Sequence, residues 1–72
     1  MPYVNVQITK GATREEKSNI VNDITISLEK HLNKKREHIH IVIQEIEEEN
    51  WGFEGMLTDD WKQKQIEKHN KT

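Results

Sequence analysis

The chain has 72 residues, enough for one domain, and a domain this short buries a smaller share of its surface than larger ones do. Only 32% of the residues are hydrophobic and cysteine is absent, which excludes a large apolar interior and a disulfide framework and leaves self-association as the expected support. The formal charge of -2, from 11 basic and 13 acidic side chains mixed along the sequence, argues against nucleic acid or an anionic membrane as partner.

Tyr3 to Thr9 alternates Val4, Val6 and Ile8 with Tyr3, Asn5, Gln7 and Thr9, the period of a strand with one apolar face. Lys10-Gly11-Ala12 breaks the alternation. Thr13-Arg14-Glu15-Glu16 then matches a capping box, in which threonine and glutamate satisfy free backbone donors at a helix start. The spacing predicts a helix from about Arg14 to Leu32, with Ile20, Val21, Ile24, Leu28 and Leu32 as its sheet-facing stripe. His31 reads as structural or exposed.

A second strand is expected from His38 to Glu45, with Ile39, Ile41 and Ile43 on one face and His38, His40, Val42 and Gln44 on the other. Strand, long helix and strand in this order favour a parallel pair joined by a right-handed crossover. One helix covers one sheet face, so further copies of the chain are expected against the other. Lys34-Lys35-Arg36 and Glu47-Glu48-Glu49 read as solvated turns. Asn50 to Met56 mixes glycines with Trp51 and Phe53, which suggests a tight hairpin. Thr58-Asp59-Asp60 then starts a short terminal helix carrying Trp61 and Ile66, with fraying expected from Glu67 to Thr72. The fold class is therefore α/β (α+β): a single domain over 1–72, with a β-α-β core at about 2–56 and an extension at 57–72.

Met1-Pro2-Tyr3-Val4, a first strand closed at Gly11, one long helix, a second strand and a glycine-aromatic hairpin together resemble the tautomerase superfamily, in its small 4-oxalocrotonate tautomerase-like branch. The resemblance covers roughly Pro2 to Met56. It implies a homo-oligomer, a hexamer or else a trimer or dimer. It also implies an isomerase in which Pro2 moves a proton between carbon and oxygen of an enol or dienol 2-oxo acid. Removal of Met1 leaves Pro2 with a free secondary amine. An unperturbed α-amino group titrates at about 7.7–8.0, and partial burial or a nearby cation lowers that value. A base matched to neutral pH results, held by a rigid ring. An ordinary edge-strand start also accommodates a proline, because its missing N–H is harmless there.

Typical members of this family carry one arginine directly after the glycine that closes the first strand and another within the second strand. Ala12 and His40 occupy those positions here, which weakens the match to 2-hydroxymuconate as substrate. Substitute substrate-binding residues are His40, whose imidazole can hydrogen-bond or carry charge, and Arg14 or Arg36, whose guanidinium can hold a carboxylate with two parallel bonds. Trp51 falls where the family places an aromatic wall over the proline; a hairpin plug explains it equally. Tyr3 is a weaker candidate for the pocket lining. His31, His38, His40 and His69 lack acid or cysteine partners at ligand spacing, so no metal is expected. Gly11, Gly52 and Gly55 are too dispersed to cradle phosphate, so no cofactor is expected either. No apolar run approaches the roughly 20 residues of a membrane span, and MPYVNVQ has no signal-peptide character, so a cytoplasmic protein is expected. A proline-dependent decarboxylase, a hydrating dehalogenase and an inactive oligomeric binding protein remain as alternatives.

Overall fold

The computed structural model describes residues 1–70, and side chains through Glu67. Strand β1 spans Tyr3–Thr9, helix α1 Arg14–Leu32, strand β2 His40–Ile46, the short strands β3 and β4 Gly52–Phe53 and Met56–Leu57, and helix α2 Thr58–Asn70. Single 3-10 turns at Arg36–His38 and Glu48–Asn50 lead into β2 and toward the hairpin. Strands β1 and β2 pair in parallel with Tyr3 beside His40 and Thr9 beside Ile46. Strands β3 and β4 form a separate antiparallel pair.

Helix α1 forms where the capping chemistry directs it. The Glu16 amide donates to the Thr13 hydroxyl at 3.1 Å and the Thr13 amide donates to the Glu16 carboxylate at 2.8 Å, satisfying donors that the first helical turn leaves free. Asn33 ends the helix in the left-handed region, φ 53°, one of the few side chains that tolerates it. The returning helix places its first turn at the far ends of the strands, where Lys17 pairs with Glu45 of β2.

Two boundaries differ from expectation. Strand β2 begins at His40, not His38, because Arg36–His38 closes a 3-10 turn through His38 N–H donating to the Lys35 carbonyl at 2.9 Å. His38 therefore does not share a strand face with His40. Helix α2 is 13 residues long rather than short. It continues to Asn70 through most of the stretch expected to fray, while Lys71 and Thr72 lie outside the described residues. Leu32, assigned to the sheet-facing stripe, is 55% exposed as the last residue of α1, next to the left-handed Asn33.

Packing is thin. Among the described residues no hydrophobic side chain is fully buried, and the two buried residues are threonines, Thr25 and Thr58. Val4, Val6, Ile8, Ile41 and Ile43 are half-buried on the face toward α1, while Tyr3, Asn5, Gln7, His40, Val42 and Gln44 are exposed on the other. The Cα radius of gyration is 17.0 Å, against about 11 Å for a compact chain of this length.

Candidate active site

The sequence-derived candidates separate onto the two ends of the sheet. At the end where both strands begin, the His40 amide donates to the Pro2 carbonyl at 3.0 Å. The pairing extends the ladder by one step and fixes the proline beside the start of β2. Pro2 is half-buried and Met1 stands out at 86% exposure. The His40 side chain lies on the open face next to Tyr3. Arg36 enters from the turn before β2 and is held by Glu29 of α1, its Nη2 donating at 3.1 Å to a carboxylate oxygen. His31 and His38 are also exposed here.

Trp51 and Arg14 belong to the opposite end. The carbonyl of Trp51 accepts from both the amide and the hydroxyl of Thr58, at 2.8 and 2.7 Å. The Trp51 side chain lines an open cavity of about 340 Å³ with Gln7, Ile8, Thr9, Phe53 and Thr58. Arg14 lies in the first turn of α1 and lines a groove of about 390 Å³ with Lys17, Ser18 and Val21. At about 3.3 Å per strand residue, these groups stand roughly 15–20 Å from the Pro2 of the same chain. A single chain thus places Pro2, His40 and Arg36 at one end of the sheet, and Trp51 and Arg14 at the other.

The ends also differ in charge. Residues 30–40 contain Lys30, Lys34, Lys35 and Arg36 against Glu37 alone, whereas residues 45–60 contain Glu45, Glu47, Glu48, Glu49, Glu54, Asp59 and Asp60 with no lysine or arginine. Some of the acids are paired. Lys17 holds the Glu45 carboxyl below its ordinary value of 4.5 through a side-chain hydrogen bond, and Glu47, 2.5 Å from Lys10, raises that lysine above 10.5. This segregation is hidden in a near-neutral whole-chain total; counting charge by segment finds it in the sequence. The described residues contain no group of three metal-ligating side chains, and no helix among them is long and apolar enough to cross a membrane.

Comparison with known proteins gives this arrangement a family. The family described as "Tautomerase enzyme" matches residues 2–60. The chain belongs to the tautomerase family. A probable tautomerase of Staphylococcus aureus (strain Mu50) is 35% identical over 60 residues, covering 83% of this chain and 98% of the relative. A probable tautomerase of Staphylococcus haemolyticus is 33% identical over 60 residues, covering 83% and 97%. The crystal structure of DmpI from Helicobacter pylori superposes with a TM-score of 0.79 at 26% identity, over 86% of this chain and 97% of that one. The matched segment stops at residue 60, so most of α2 lies outside it. The contacts of α2 with the Trp51 segment were not visible to sequence reasoning, since Glu54, Thr58 and Trp61 form no recognisable motif.

Proposed function

We propose that the protein is a cofactor-independent cytoplasmic tautomerase in which Pro2, freed by removal of Met1, is the general base. The amine takes a proton from the oxygen or carbon of an enol or dienol 2-oxo acid and returns it at the other position, so no net oxidation occurs. The observation that carries this reading is Pro2 itself, half-buried at the head of β1 and hydrogen-bonded through its carbonyl to His40, in a tautomerase-family chain. The exposed Met1 is open to an aminopeptidase, and the small residue after it favours cleavage.

His40 and Arg36, at the same end of the sheet as that amine, are the candidate substrate donors. The surplus of cations on residues 30–36 draws an anionic substrate toward it. Trp51 and Arg14 reach a reaction centre only from another copy, so the site is shared between chains of a homo-oligomer. The open sheet face and the lack of a buried apolar side chain support assembly, because burial against a second copy supplies the area one chain lacks.

The test is the ultraviolet rate of phenylenolpyruvate ketonisation by the processed protein and by Pro2→Ala. A rate that depends on Pro2 is expected. No rate from protein of verified N-terminal mass would move the assignment to decarboxylation, hydration or binding.

A further inference from the structure

The first turns of helix α2 make a set of contacts that converge on the segment around Trp51. Upstream of Trp51, Lys62 pairs with Glu48 in the 3-10 turn. At Trp51, both donors of buried Thr58 converge on its carbonyl. Downstream, the Trp61 ring lies 5.0 Å from that of Phe53 at an interplanar angle of 47°, an offset aromatic contact. The Trp61 indole N–H donates to the Glu54 carboxylate at 3.0 Å.

Glu54 makes the last contact informative. The turn between β3 and β4 consists of Glu54 at φ 54° and Gly55 at φ 78°, both left-handed, as the tightest hairpins require. Asn, Asp or Gly is favoured at the first position; glutamate there is sterically disfavoured. Such a residue persists where its surroundings hold it, and the surroundings here are the Trp61 indole.

We propose that α2 is a clamp on the Trp51 hairpin and that Trp61 is a positioning residue, acting through Phe53 and Glu54 to fix where Trp51 stands. The consequence for turnover rests on the tautomerase reading above. A loosened Trp51 wall weakens substrate binding while leaving the Pro2 amine intact, so KM rises and kcat does not fall.

The experiment uses the full chain, with oligomer size checked for each variant. The protein has two tryptophans, so Trp61→Ala and Trp61→Phe both leave Trp51 as the sole tryptophan emitter. Phe keeps the ring contact and Ala removes it. With phenylenolpyruvate, Trp61→Ala is expected to raise KM about tenfold with kcat within about twofold, and Trp61→Phe to recover most of that loss. Acrylamide quenching of Trp51 is expected to be about twofold stronger in Trp61→Ala than in Trp61→Phe. Equal quenching and equal KM in the two variants overturn the clamp, as does a parallel collapse of kcat and assembly that Phe does not rescue. If Trp61→Ala does not fold, Glu54→Gly keeps the turn and deletes the anchor; a KM rise of about threefold is then expected, and an unchanged KM sinks the proposal. Absence of turnover in the parent protein would count against the tautomerase reading alone, and the quenching comparison would still decide the clamp.

Discussion

The two ends of the sheet are built on different principles. The Pro2 end is basic and lightly tied, held by one backbone hydrogen bond from His40 and an exposed Arg36–Glu29 pair. The Trp51 end is acidic and fastened at several points by Thr58, Trp61 and Lys62. A proton-transfer base gains from access and from nearby positive charge, which favours its neutral form. An apolar wall gains from being fixed, because its contribution is shape. The contrast teaches that the catalytic element and the packing element of the proposed site are separable within one chain; in the assembly proposed above they meet between chains.

The strongest way to break the contrast is to disable each end in turn. Pro2→Ala is expected to lower kcat at least about 100-fold, the usual scale of a lost acid–base group, whereas Trp51→Ala is expected to raise KM about tenfold with a smaller change in kcat. Steady-state kinetics separates the two. Refolding the variants together is expected to restore part of the parental rate, since mixed oligomers contain sites with an intact residue from each chain; recovery no greater than the sum of the separate variants would place both groups in one chain's site.

Next in size is a test of the proposed surface between copies. Val42 is 43% exposed in the middle of the open sheet face. Val42→Asp is expected to shift the protein to smaller species in sedimentation and to lower its melting temperature, because a charge buried at an interface without a partner is strongly unfavourable. An unchanged sedimentation coefficient would put the assembly surface elsewhere.

Smaller effects sharpen the picture of the acidic end. Thr13→Ala removes the cap of α1 and is expected to cost about 1 kcal/mol in denaturant unfolding. The smallest effect is pH-dependent. The Glu45 carboxyl lies below its ordinary 4.5 in the folded chain, so its contribution is present above that value and is lost as pH falls through the lower folded value. Lys10, raised above 10.5, contributes below that value and loses its effect as pH rises past it. Melting curves should therefore weaken below about pH 4.5, and Glu45→Gln should flatten that acid limb.

Much of the fold was legible because local rules agreed. The alternation of Val4, Val6 and Ile8, the Thr13–Glu16 box and the long apolar stripe each specified one element, and β1 and α1 occupy the expected residues. The start of β2 was misplaced by two residues, since His38 fits the alternation but its backbone is used by a 3-10 turn. The candidate site was legible as residue types, not as one assembled place. The parallel crossover predicted from the sequence already sets Arg14 and Trp51, which follow the two strands, at the far end from Pro2, which precedes them; the sequence does not say how a second copy would bring the ends together. Nor did Glu54 announce itself, because its conformation follows from a turn whose favoured sequence is Asn-Gly rather than Glu-Gly.

That glutamate also couples the hairpin to the helix that follows it. A side chain in the left-handed region costs about 1 kcal/mol, and here the Trp61 indole offsets it from a helix that lies largely beyond the family's common segment. In a chain without that helix the same residue would be a net burden, and asparagine or glycine would suit the turn better. Losing the helix exposes the cost of the turn, so the hairpin and the extension stand or fall together.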